Sequence, residues 1–141
     1  MSKSGTIVLV EDDYDDREIF EILVRALEIP NKIVWFAEGN SAYEYLSTTT
    51  DTIFLIFSDI NMPGKNGLQF KREIDATPEL RRKSIPFLFF STAASQKDID
   101  EAYIELTIQG FFLKGSSFEQ SKKLLGNIFG YWMSCKHPNS Q

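Results

Sequence analysis

Apolar positions along the chain switch between two periods. Thr6–Val10 (TIVLV) is a short apolar, β-branched run of the kind that forms a strand buried on both faces. Behind it, Ile19, Ile22, Leu23, Ala26 and Leu27 fall at helical spacing on one face, and Pro30 stops the helix. Residues 32–36 (KIVWF) predict a second strand and residues 40–46 a short helix opening at Gly39, Asn40 and Ser41. Residues 53–57 (IFLIF) are the most uniformly apolar run and predict a central strand. Residues 59–67 (DINMPGKNG) hold too many breakers for a regular element. A third helix is expected over 68–75, a polar connection over 77–84, and a fourth strand over 87–90 (FLFF), opened by Pro86. Ser95 and Asp98 are spaced as a capping box before a helix with Ile99, Ala102, Tyr103 and Leu106 on one face. Gly110–Leu113 is the fifth strand. Ser116 and Glu119 are spaced as a second capping box, before a helix whose apolar face is Leu125, Ile128, Phe129 and Trp132. The tail after Cys135 reads as polar and frayed.

Strand and helix thus alternate five times. Short apolar strands separated by helices imply an α/β, doubly wound domain with a five-stranded parallel sheet covered on both faces. The expected organisation is one domain over 1–141, with a core at about 6–133 and a polar tail at 134–141. In open sheets of this kind, ligands bind beyond the carboxyl ends of the strands, near the switch in strand order.

Charge narrows the chemistry. The net charge is −5, and residues 11–18 (EDDYDDRE) alone account for it with six acids and one arginine. The rest of the chain is balanced, so electrostatic binding of nucleic acid is not expected. One cysteine, Cys135, excludes a disulfide framework and a cysteine-rich zinc site. The one histidine, His137, lies in the tail, a poor place for a catalytic triad. No apolar run approaches membrane-spanning length, and the N-terminus lacks a signal-peptide pattern, so the expected setting is cytoplasmic, with no membrane partner.

The strand ends hold the candidate site. The first ends in Glu11, Asp12 and Asp13, the third in Ser58 and Asp59, the fourth in Ser91, Thr92 and Ala93, and the fifth in Lys114. Singly, each has an ordinary structural use: first-turn helix acids, a turn-forming Asp, capping hydroxyls, a surface lysine. Together they bring carboxylates side by side, which a hard divalent cation such as Mg²⁺ would offset through oxygen ligands. A carboxylate next to such an ion can act as a nucleophile toward phosphorus, with a hydroxyl and an ammonium holding the phosphoryl oxygens.

These motifs resemble those of response-regulator receiver domains of two-component signalling. VLVEDD is similar to the acidic pair, SDINMPGKNG to the phosphoacceptor loop D-x-x-M-P-x-x-x-G, and FFSTA and FLK to the hydroxyl and lysine motifs. The ordered set spans residues 6–132. The resemblance implies a flavodoxin-like fold and a stand-alone receiver similar to phytochrome-associated regulators. It implies that Asp59 is the phosphoacceptor and Asp12 a direct Mg²⁺ ligand, with Glu11 acting largely through water and Asn61 lending its backbone carbonyl. Lys114 would pair with Asp59 or its phosphoryl group, and Phe111 falls at the aromatic switch position, with core packing an equal alternative. Either Ser91 or Thr92 is the phosphoryl-contacting hydroxyl. Ser91 is preferred, because a one-residue slip turns a strand side chain to the other face and paired hydroxyls here occur in phytochrome-type receivers. The chain departs from the family at Gly115, where a proline is usual, which implies a trans bond and a more mobile loop. Ala93 offers no polar side chain to an attacking water, which points to a long phosphorylated lifetime.

The expected partners are a histidine kinase or histidine phosphotransfer protein and a downstream protein target. The target would meet the face built by the fourth helix, fifth strand and fifth helix. Homodimerisation through Tyr131 or Trp132 is an alternative to core packing, which is the favoured use. Only nine residues follow Trp132, so output is expected through protein contacts rather than an attached domain. Two other functions compete: a receiver-like module that binds without phosphorylation, and a phosphatase of the haloacid dehalogenase type. Asn61 stands where the phosphatase needs a second aspartate.

Overall fold

The structure is a computed structural model and describes residues 2–138. A 3₁₀ turn at Ser2–Ser4 leads into β1 (Thr6–Val10), α1 (Tyr14–Ala26), β2 (Ile33–Phe36), α2 (Gly39–Thr48), β3 (Ile53–Ser58), α3 (Gly67–Ala76) and α4 (Pro78–Lys83). The chain continues through β4 (Phe87–Ser91), α5 (Gln96–Glu105), β5 (Gly110–Leu113) and α6 (Phe118–Ser134). The five strands form one parallel sheet in the order β2-β1-β3-β4-β5. The strand order reverses between β1 and β3, so their carboxyl ends open the crevice where such sheets take ligands.

Alternate strand residues feed two cores. Val8, Val10, Phe87 and Phe89 pack with Ala42, Phe70, Ile74 and Ala102 under α2, α3 and α5. Ile7, Leu9, Leu88 and Phe90 pack with Phe20, Leu23, Leu125 and Phe129 under α1 and α6. Both faces are covered, so the strands read as unbroken apolar runs rather than alternating ones. β3 is fully buried at the centre of the sheet.

Several local readings differ from the sequence expectation. The inner face of α1 is Phe20, Leu23 and Val24, while Ile19 and Ile22 lie about half exposed. Two apolar stripes overlap on this helix. The stripe holding Phe20 wins because its ring meets Phe57 edge-on at 5.1 Å. Residues 77–84 are not merely a connection, since Pro78–Lys83 forms a short helix anchored by buried Leu80 and ended by Ser84 in the left-handed region at φ 51°. One apolar residue in six leaves no period to detect. The cap of α6 is Ser117, whose side chain accepts the Gln120 N–H, while Ser116 bonds the Gln120 side chain. Tyr103 points outward, and its hydroxyl accepts the Phe111 N–H at the edge strand β5. The tail folds back at His137, whose ring is buried, lies 2.6 Å from the Phe54 carbonyl through Nε2, and stacks near Phe54 and Trp132. Residues 139–141 of the expected tail lie outside the described residues.

Candidate functional site

The ends of β1, β3, β4 and β5 meet as the topology requires. Carboxylate oxygens of Glu11, Asp12 and Asp59 lie within 4.8 Å of one another. Glu11 and Asp59 are buried and Asp12 is exposed. Asp13 stands apart from them: its side chain caps α1 by accepting the Asp16 N–H.

Asp59 is fixed through one oxygen. Its Oδ1 accepts from Ser91 Oγ at 2.6 Å, from the Ile60 N–H at 2.7 Å and from the Asn61 N–H at 3.3 Å. Oδ2 carries none of these bonds. The loop holds this pose by close packing. A Cβ on Gly67 would stand 2.2 Å from the Asp59 carbonyl oxygen, so the last glycine of the DINMPGKNG loop is there to let α3 start against the backbone of Asp59. Asn66 caps that helix in a capping box with Gln69, and Gly64 turns the loop at φ 73°.

Ser91, the last residue of β4, is fully buried with its hydroxyl on Asp59, whereas Thr92 is exposed. The hydroxyl is also 3.1 Å from the Ala93 carbonyl, which accepts the Asn61 side-chain N–H as well. Ala93 therefore contributes to the site through its backbone.

Lys114 does not pair with Asp59. Its Nζ lies 2.7 Å from Glu11 Oε1 and 3.4 Å from Asp16 Oδ2. Asp59 Oδ1 is already saturated by three donors, while Glu11 is a buried carboxylate with a single further donor, the Asp13 N–H. Burial pushes the Glu11 carboxyl up to about 7, and the Lys114 bond only partly restrains the rise. Burial works against the charge of Lys114, but Glu11, Asp16 and Asp59 outweigh it and hold the ammonium above the usual lysine range. The Glu11 backbone is tied too, its carbonyl accepting the Trp35 indole N–H at 2.6 Å.

All peptide bonds among the described residues are trans, Lys114–Gly115 included. The following loop is pinned rather than loose. The Gly115 N–H donates to Ser121 Oγ, and a Cβ at this position would collide with Gln120 and the Ser121 nitrogen at 2.7 and 2.8 Å. Phe111 is half-buried, with its ring centroid 5.4 Å from that of Phe89. Trp132 is buried in the core under α6 and Tyr131 is exposed. Asp16 is the site residue that sequence reasoning missed, since it reads as one more first-turn acid.

The donor set is chemically suited to a hard cation: three carboxylates, one exposed, against a single ammonium. No described helix is long and apolar enough to cross a membrane.

Comparison with known proteins agrees with this fold. The family model of the response regulator receiver domain matches residues 7–125. Chemotaxis protein CheY-3 of Vibrio cholerae is 30% identical over 129 residues, covering 92% of this chain and 95% of CheY-3. Response regulator Rcp1 of Synechocystis sp. is 25% identical over 132 residues, covering 90% and 88%. The crystal structure of the phosphorylated cyanobacterial phytochrome response regulator RcpA superposes with a TM-score of 0.85 at 27% identity, covering 96% of this chain and 99% of RcpA. Neither a phosphorylation-independent module nor a phosphatase is favoured by these matches. With its five-stranded parallel sheet, its acidic crevice and a family match over most of its length, the chain belongs to the response-regulator receiver domains.

Proposed function

We propose that Asp59 accepts a phosphoryl group from a phosphohistidine of a histidine kinase or histidine phosphotransfer protein, in the cytoplasm and with Mg²⁺, and that the modified chain signals through protein contacts in a phosphorelay. An Asp59 carboxylate oxygen bonds phosphorus as the N–P bond of the phosphohistidine breaks. The imidazole keeps the electron pair and takes up a proton. Glu11, Asp12, Asp59 and the backbone carbonyl of Asn61 would hold the metal, and the ion neutralises carboxylate and phosphoryl charge when bound. Ser91 donates its hydroxyl to a phosphoryl oxygen, and Lys114 pairs with the new charge. Phosphorylation adds close to two negative charges, to which Ser91, Lys114 and the neighbouring Phe111 respond.

The observation that carries this reading is the asymmetric hold on Asp59, with three donors on Oδ1 and none of them on Oδ2. Exposed Ile19 and Ile22 on α1 give a phosphodonor apolar surface beside the site, and Ile104 and Tyr131 do the same for a target across α5, β5 and α6. Incubation with Mg²⁺ and a small phosphodonor, followed by intact mass, tests the reading. One phosphoryl adduct on the wild type and none on Asp59→Asn is expected. No adduct on the wild type, or an equal adduct on the variant, refutes it.

A further inference from the structure

A lysine occupies a core position of α3. Gly67, Phe70, Lys71 and Ile74 form the inward stripe of that helix, and Lys71 is only 4% exposed. Burial lowers its pKa, since an ammonium out of water is the costly form. Two of its N–H bonds are used: Nζ donates to Asp75 Oδ1 at 2.8 Å and to Thr107 Oγ1 at 3.0 Å. Asp75 is closed off in turn, accepting the Thr107 hydroxyl at 2.6 Å and the Thr107 N–H at 3.0 Å. On the Phe87 side, Nζ lies 5.2 Å from the ring centroid, within cation–π range.

That side is a cavity of about 160 Å³ at the amino edge of the sheet, between the second half of α3, α4 and the first residue of β4. Arg81 lines it too, and its guanidinium makes no ion pair or hydrogen bond among the described residues. Its charge opposes that of Lys71. Two cations therefore face one carboxylate that is already engaged. Ile74, Leu80 and Phe87 make the rest of the wall apolar.

We propose that this cavity binds a small organic monocarboxylate. The carboxylate bridges Lys71 Nζ and the Arg81 guanidinium, and a short apolar body lies against Ile74, Leu80 and Phe87. Each part of that ligand is specified by the wall. The excess charge is one positive unit, which a single carboxylate neutralises, whereas a phosphate would bring surplus negative charge beside Asp75. The planar fork of Arg81 matches a carboxylate in two-point contact. At about 30 Å³ per water, the space holds roughly five waters. It falls below the roughly 300–1,000 Å³ of pockets for drug-sized ligands, so the ligand is small. Asp59 lies at the opposite edge of the sheet, so this site stands or falls independently of phosphoryl acceptance.

The test is an NMR titration of the full ¹⁵N-labelled chain with sodium benzoate, using benzyl alcohol and sodium chloride as controls. Saturable shifts at the Lys71, Arg81 and Thr107 amides with benzoate alone are expected. Arg81→Gln should weaken binding about tenfold or more, as loss of one charge-assisted pair predicts. Arg81 is exposed and bonds nothing through its side chain, so this variant is expected to fold. Shifts that do not saturate, an equal response to benzyl alcohol, or unchanged affinity in Arg81→Gln would each overturn the assignment. The first would mean an empty or merely hydrated cavity, and the second a cavity filled by apolar contact alone.

Discussion

The two edges of one sheet carry opposite charge imbalances. At the carboxyl edge, Glu11, Asp12 and Asp59 face Lys114. At the amino edge, Lys71 and Arg81 face Asp75. The first imbalance is open, because Asp12 is exposed and Asp59 keeps one oxygen outside its bonding network. The second is half closed, because Lys71, Asp75 and Thr107 satisfy one another and only Arg81 is loose. The sign of the imbalance identifies the kind of ligand, and the bonding identifies which side chain can be removed without unfolding the domain.

Substitutions at the two edges bear on that contrast, the largest effect first. At the carboxyl edge, Ser91→Ala should slow phosphorylation by a small-molecule donor by about a hundredfold, the usual cost of one donor aimed at developing charge. Thr92→Ala should leave the rate unchanged, and equal rates for the two variants would unseat Ser91. At the amino edge, Lys71→Met should cost about 1–3 kcal/mol in urea denaturation, because it takes the ammonium away from the partly buried Asp75 carboxylate. Lys71→Met combined with Asp75→Leu should recover most of that loss, and no recovery would mean that the pair is not the unit. Gly67→Ala tests how tightly the carboxyl edge is packed. A loss of about 1–3 kcal/mol is expected from overpacking against the Asp59 carbonyl. Gly130→Ala, with nothing within 4 Å of the new Cβ, should instead gain up to about 1 kcal/mol from helix propensity.

The smallest effect is in pH. Burial favours the neutral form of Asp75, but the bonds from Lys71 and Thr107 outweigh it and its pKa is lowered. The stability it contributes is therefore present above the unfolded carboxylate value and is lost as pH falls below about 4, through the folded value. Thermal melts of the wild type should show this acid loss, and Asp75→Asn should flatten it. An unchanged slope in the variant would detach Asp75 from acid stability.

The carboxyl edge was legible in the sequence because its residues end strands that declare themselves. The IFLIF run marks β3, Asp59 follows it, and strand parity leaves only one of Ser91 and Thr92 facing inward. What stayed hidden depends on packing between elements. Whether Ile19 or Phe20 faces the core is decided by the aromatic neighbours Phe57 and Phe90, which come from other strands. That Asp16 reaches Lys114 depends on how α1 sits relative to β5, which helical periodicity does not contain. Lys71 reads as a surface lysine until the inward stripe of α3 is placed against Phe87. Arg81 belongs to a six-residue helix with one buried apolar side chain.

The bond from the Trp35 indole to the Glu11 carbonyl has an optical consequence. The chain has two tryptophans. Trp35 is tethered to a residue of the acidic crevice and has the Arg17 guanidinium 4.5 Å from its ring centroid. Trp132 is packed beside His137 in the core under α6. Occupancy of the crevice should alter the emission of the first indole and leave the second as an internal reference. In a Trp132→Phe background, the remaining fluorescence becomes a gauge of that one carbonyl's surroundings, with no added label.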